Sequence, residues 1–309
     1  MLYLQDTKDL IVKMRADRNQ YQTLVMILAL VFSSACMLLL LSSPNARADS
    51  HTNQRLVVAG GALTEIIYAL GAEQQIVGVD TTSLWPAQAR TLPQVGYQRA
   101  LSAEGVLSLQ PDLLLGTDDT GPATVLAHLR EAGLMIQQVE VPDTTQGLVA
   151  KVETVAQLVH RQAQAVTLIA NIEQQMADLA QQYGERANKP KVAFLLGGGH
   201  GSPMTSGFGT SADAAIGLAG GINAFNSYPG YKPLNSEAMI AAAPEVILLT
   251  ERTLKAIGGV DGLLAMPGIA QTPAGQAQRI IALDGLALLG FGPRTPATLM
   301  QLAQQLYPQ

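Results

Sequence analysis

The sequence has 309 residues, a length that suits two lobes of ordinary domain size better than one small core. Its net charge at pH 7 is −5, which argues against nucleic-acid binding, since that requires a basic stripe. The single cysteine, Cys36, excludes a disulfide framework and a cysteine-ligated zinc or iron–sulfur centre.

The first element reads as a leader. Lys13, Arg15 and Arg18 precede an uncharged apolar run from Leu24 to Leu41. Ala46 and Ala48 in "NARA" then give the small-x-small arrangement that a signal peptidase reads, so cleavage is expected before Asp49. Residues 1–48 are thus expected to be a signal peptide that exports the chain to the periplasm, with Met14 as an alternative start. A retained membrane anchor is the rival reading, because the run has about the 18 residues a span needs. Ser33-Ser34-Ala35 ahead of Cys36 lacks the large apolar residue of a lipoprotein signal. Five basic and three acidic residues lie before Asp49, so the remainder holds 14 basic and 21 acidic residues, a net charge of −7.

"RLVVAGGALTEIIYALGAEQQIVGVD" (55–80) predicts a strand, a Gly-Gly turn, a helix stopped at Gly71, and a second strand. "PDLLLGT" (111–117) is a short buried strand cut off by Pro111. Residues 125–141 repeat the pattern of helix, Gly133 stop and strand. From Gly147 to about Tyr183 apolar residues recur at helical spacing, through Leu148, Val152, Val155, Leu158, Leu168, Ile172, Met176 and Leu179. Two helices with a break near Arg161, or one long bent helix, both fit. A strand is expected at Val192–Leu196, after which α/β alternation returns.

The second half echoes the first. "LSAEGVLSLQPDLLLGT" (101–117) aligns without gaps on "LNSEAMIAAAPEVILLT" (234–250) at an offset of 133, and Gly96-Tyr97 has a counterpart in Gly230-Tyr231. The expected architecture is α/β: two similar Rossmann-like lobes with central parallel sheets, joined by a long backbone helix. The expected boundaries are 49–160 for the first lobe, 161–187 for the linking helix and 188–309 for the second lobe. Ser102 and Asn235 are suitable N-caps, which puts Glu104 and Glu237 in first helical turns. In a doubly wound lobe those turns lie on the side where ligands bind.

Enzyme signals are weak. There is no G-x-S-x-G elbow, and "GGGHG" (197–201) lacks the Lys-Ser/Thr of a phosphate-binding loop. Asp118-Asp119 reads as solvated loop acid. The histidines, at 51, 128, 160 and 200, do not make the set a bare zinc or manganese site needs. No catalytic residue and no catalytic cofactor is assigned. Tyr97, in an irregular segment before a helix on the ligand side, stands out in "VGYQRALSAEG" (95–105). If the segment is extended, Tyr97 and Arg99 face the same way. A phenolate suits ferric iron, and an arginine beside it favours the ionised phenol or clamps a carboxylate.

The leader, the doubled lobe, the helical link, "GYQRALSAEGVLSLQPDLLL" (96–115) and "GFGPRTP" (290–296) resemble the periplasmic haem-binding proteins of ABC-type haem importers, a helical-backbone class of substrate-binding proteins. The resemblance covers about 55–309. It implies that ferric haem b is a transported ligand, that Tyr97 is its axial iron ligand, and that Arg99 balances charge. Packing at the lobe edge is the alternative for Tyr97. His200, in a glycine-rich turn, is a candidate second iron ligand, Arg252 a candidate propionate partner, and Tyr228 and Tyr231 candidates for stacking on the porphyrin. In the wider class, glutamates matching Glu104 and Glu237 dock on the two halves of an inner-membrane ABC permease that works with its ATPase. The expected protein is a monomer that captures haem and performs no chemistry. A ferric-siderophore or cobalamin carrier of the same fold, or a haem-processing enzyme, are the rival readings.

Overall fold

The computed structural model describes residues 54–140, 142–197 and 203–308. The expected leader and Cys36 lie outside them, as does His200. Strand β1 (Leu56–Ala59), helix α1 (Gly61–Ala69) and strand β2 (Ile76–Val79) realise the first strand–helix–strand pattern. The turn into α1 needs Gly60, at φ 140°, a conformation closed to other residues. A hairpin of β3 (Gly96–Tyr97) and β4 (Ala100–Leu101) follows, then α2 (Ala103–Ser108), β5 (Leu113–Thr117), α3 (Ala123–Glu131) and β6 (Met135–Val139). The first sheet has the order β2-β1-β5-β6 with every pairing parallel.

The helical stretch is two helices: α4 (Thr145–Leu158) and α5 (Gln162–Tyr183). The break falls at His160, which takes a left-handed φ of 55°. At 22 residues, α5 is about 33 Å long.

The second lobe runs β7 (Lys191–Leu196), β8 (Met204–Ser206), α6 (Ser211–Leu218), β9 (Ile222–Asn223), β10 (Tyr231–Pro233), α7 (Ser236–Ala242), β11 (Val246–Thr250), α8 (Glu251–Ala256), α9 (Gly259–Leu264), α10 (Pro273–Gln276), β12 (Ile280–Leu283), α11 (Gly285–Leu289) and α12 (Thr295–Leu306). Its sheet has the order β10-β8-β7-β11-β12, with β9 also against β7. β7, β9, β11 and β12 are parallel neighbours, whereas β8 and β10 form an antiparallel edge. Among the described residues no helix is long and apolar enough to cross a membrane.

The internal repeat is structural. Helix α2 with strand β5, and helix α7 with strand β11, occupy the two aligned segments. Gln110 and Ala243, at the same repeat position, both leave their helices with left-handed φ, 47° and 45°. Each directly precedes the proline pair position, Pro111 or Pro244, and a residue before proline is pushed out of the right-handed helical region.

Strand alternation divides the core. Leu56 and Val58, Leu113 and Leu115, Val192 and Phe194, and Val246 and Leu248 enter one cluster that also takes α4, α5 and α12. The alternate residues, such as Val57 and Leu114, or Ala193 and Ile247, face separate outer clusters in each lobe. Both lobes therefore share one continuous apolar layer along the backbone helices. Two buried polar links reinforce it. The Lys151 amine, on α4, donates to the carbonyls of Gly290 and Phe291 at 3.1 Å each. On α1, Glu65 accepts from the Arg294 backbone N–H at 2.9 Å and from its Nε at 3.0 Å.

Candidate ligand-binding site

The hairpin carrying Tyr97 sits over the carboxyl ends of the first sheet. Thr81, just past β2, donates its N–H to the Gly96 carbonyl at 2.9 Å, and Gly121, beyond β5, donates to the Gln98 carbonyl at 2.9 Å. This corrects the extended segment expected over residues 97–99. Tyr97 pairs with Ala100 across an antiparallel ladder, so Gln98 and Arg99 form the turn between them. Gly96, at φ 102°, turns the chain into the hairpin, and a spacing rule for extended chain does not apply within it.

Tyr97 is 42% exposed, an unusual state for so large an apolar surface. Arg99 forms an ion pair with Asp119, and both side chains are about half exposed. The loop acid is therefore a counter-ion. The hydrogen bond that Arg99 donates to the Asp119 carboxylate holds the guanidinium protonated beyond the ordinary arginine range, against partial desolvation. The charge of Asp119, and those of Tyr97 and Tyr231 when ionised, add to the effect. An exposed pair of this kind contributes at most about 1 kcal/mol, so a ligand carboxylate can replace Asp119 at little cost.

The second lobe presents Tyr231 within electrostatic reach of Arg99. Tyr231 lies opposite Ser206 in the β10–β8 ladder, and hydrogen bonds with Thr210 and Ser206 anchor its hydroxyl. Burial raises its pKa above the ordinary 10, outweighing those bonds and the charge of Arg99, so the group is a neutral phenol at pH 7. The Tyr228 hydroxyl bonds to Thr205 Oγ1 at 2.6 Å, and the Lys232 amine lies 4.5 Å from its ring centroid. One face of Tyr228 is thus already covered by a cation. Arg252 is exposed in the first turn of α8, beyond the carboxyl end of β11. The structure thereby brings Tyr97, Arg99 and Tyr231 together, ties Tyr228 into its own lobe, and leaves Arg252 exposed on the second lobe.

Glu104 and Glu237 are exposed in the first turns of α2 and α7. Ser102 accepts from the Gly105 N–H at 3.1 Å and Asn235 from the Ala238 N–H at 2.9 Å, the two caps expected from the repeat. Leu84 and Trp85 on the first lobe and Phe208 on the second are exposed apolar side chains. A separate groove of about 490 Å³, lined by Glu65, Tyr68, Trp85, Pro293 and Arg294 among others, shares no residue with the Tyr97 hairpin.

Two groups escaped the sequence reading. The Glu65–Arg294 pair joins residues 229 apart, and nothing local marks either. Asp80 was legible in principle: it is a lone acid closing the apolar strand "IVGVD", a place where charge is costly unless several donors meet it.

The family model described as "Periplasmic binding protein" matches residues 56–286. The periplasmic heme-binding protein RhuT from Roseiflexus sp. RS-1 superposes with a TM-score of 0.78 at 42% identity, over 82% of this chain and 98% of that one. The periplasmic heme-binding protein HutB of Vibrio cholerae gives 0.75 at 41% identity, over 84% of this chain and 100% of that one. A vitamin B12-binding protein of Photorhabdus laumondii subsp. laumondii is 29% identical over 253 residues, 82% of this chain and 87% of the relative.

Proposed function

The chain belongs to the periplasmic binding protein family, the ligand-binding components of ABC import, and we propose that it captures ferric haem between its lobes and delivers it to an inner-membrane ABC permease. The observation that carries this reading is the exposed Tyr97 phenol beside a guanidinium whose counter-ion is exchangeable. Ferric iron is a hard acid that a phenolate oxygen satisfies. A haem propionate, in turn, would take the place of Asp119 on Arg99. Tyr231 would donate a hydrogen bond from the opposite wall, and Arg252 would meet the second propionate. Leu84 and Phe208 would cover porphyrin surface. Tyr228 could stack only after Lys232 moves from its ring. His200 is kept as a candidate second iron ligand and Glu104 with Glu237 as the permease contacts. Residues 1–48 act as the export leader, followed by lobes over 49–160 and 188–309 with the link 161–187 between them. The product is a monomeric periplasmic carrier without catalytic activity.

Support comes from the two heme-binding structures above, each more than 40% identical over most of the chain. The B12-binding relative favours a second reading, a corrinoid carrier. Parallel titrations of the purified protein with haemin and with cyanocobalamin, followed by absorption, separate the two. Saturable haemin binding with a high-spin tyrosinate spectrum, and no cobalamin response, is the expected result. The reverse pattern would transfer the chain to the corrinoid carriers.

A further inference from the structure

Asp80 is fully buried, yet its carboxylate meets five hydrogen-bond donors, all of them neutral groups. Oδ1 accepts from the Gly60 N–H at 3.0 Å, from Thr82 Oγ1 at 2.9 Å and from Ser83 Oγ at 3.0 Å. Oδ2 accepts from the Thr82 N–H at 3.0 Å and the Gln98 N–H at 3.2 Å. Gly60 is the N-cap of α1 and has no side chain to cap it. Asp80 supplies the missing acceptor from 20 residues away, and the positive end of α1 compensates its charge. Thr82 Oγ1 completes the cap by accepting from the Gly61 N–H at 3.0 Å.

The same carboxylate reaches the ligand hairpin. The Gln98 N–H that it holds belongs to the peptide immediately after Tyr97, while the next residue, Thr81, bonds the Gly96 carbonyl immediately before it at 2.9 Å. Asp80 and Thr81 therefore bracket Tyr97 on both sides. Tyr97 is exposed and has little packing of its own to fix its backbone. We infer that Asp80 is a positioning residue, a buried anion that fastens the Tyr97 hairpin to the N-terminus of α1 and so sets the phenol for its ligand. The second half of this inference rests on the proposed function; the first does not.

Hydrogen exchange and haemin titration on the full mature protein test it together. Asp80→Ala removes the acceptor, and Asp80→Asn keeps the shape but puts an Nδ2 donor in place of one accepting oxygen, which cannot take the N–H groups of Thr82 and Gln98. In Asp80→Asn the amides of residues 96–99 are expected to exchange at least about fivefold faster, while Ile66 and Ile67 in α1 stay protected. Haemin affinity is expected to fall about tenfold in Asp80→Ala, with loss of the tyrosinate spectrum. Val152→Ala, in the shared core, is the control for global destabilisation and should leave affinity and spectrum unchanged. If Asp80→Ala does not fold, Asp80→Asn and Thr82→Val carry the test, with smaller changes confined to the same segment. Unchanged exchange at 96–99, faster exchange spread evenly over the protein, or faster exchange with unaltered haemin binding would each overturn the inference. Failure of the wild type to bind haemin would instead sink the haem reading, and the exchange measurement would still decide whether Asp80 holds the hairpin.

Discussion

Arg294→Met tests how the lobes are held to one another. Glu65 is 5% exposed and depends on two donors from Arg294, the backbone N–H and Nε. Removing one partner of a fully buried ion pair costs about 3–5 kcal/mol. Here the Arg294 side chain is 26% exposed and its backbone donor survives the substitution, so a cost of about 2–3 kcal/mol at neutral pH is expected. That figure includes the guanidinium's contact with Trp85, 4.6 Å from the ring centroid, which contributes about 0.5–1 kcal/mol. The pH dependence has a definite sign. Burial raises the Glu65 carboxyl above its ordinary 4.5, and Arg294 only partly offsets this. A raised carboxyl stabilises the fold fully below 4.5 and loses that contribution as pH rises through its folded value. Without Arg294 the carboxyl rises further and more is lost. Urea unfolding of wild type and mutant should therefore show a small difference below 4.5 that widens towards neutrality, and Glu65→Gln/Arg294→Met should recover part of it. A difference below about 0.5 kcal/mol at neutral pH, or one independent of pH, would refute the buried-pair account.

Three further outcomes are expected. Lys151→Met leaves the Gly290 and Phe291 carbonyls unpaired and should cost about 1–3 kcal/mol in urea unfolding. Burial lowers the Lys151 pKa from 10.5, so wild-type stability should gain from this group as pH rises from its folded value towards 10.5, a gain absent from the mutant. Arg99→Ala should weaken haemin binding about tenfold or more in a titration, through an unpaired propionate, while melting is unchanged because Arg99 is exposed. Glu104→Ala/Glu237→Ala should bind haemin and melt like wild type, yet fail to stimulate ATP hydrolysis by the reconstituted permease; full stimulation would reduce the two acids to helix-end charges.

The architecture was legible because it follows from local signals. Glycine stops, apolar strands and the 133-residue repeat located β1, α1, β5, α7 and β11, and the caps Ser102 and Asn235 fixed their helix starts. What stayed hidden depends on contacts distant in sequence. The turn at Gln98–Arg99 arises from pairing with Ala100 and from bonds to Asp80, Thr81 and Gly121. No spacing rule contains those partners. The antiparallel edge of β8 and β10 and the burial of Lys151 against residues 139 and 140 positions away are of the same kind. Tyr97 itself was visible as an aromatic in a polar segment, but its counter-ion arrangement with Asp119 was not.

The central claim is that one exposed phenol binds the iron of a haem, and it reduces to a comparison of wild type with Tyr97→Phe. The substitution removes a single oxygen from a side chain that is 42% exposed, so the fold should be untouched. Haemin titration followed by visible absorption is the direct measurement. Wild type should saturate with the high-spin spectrum of a tyrosinate-bound ferric haem, and Tyr97→Phe should lose that spectrum and most of its affinity. An identical spectrum and affinity in Tyr97→Phe would contradict the account.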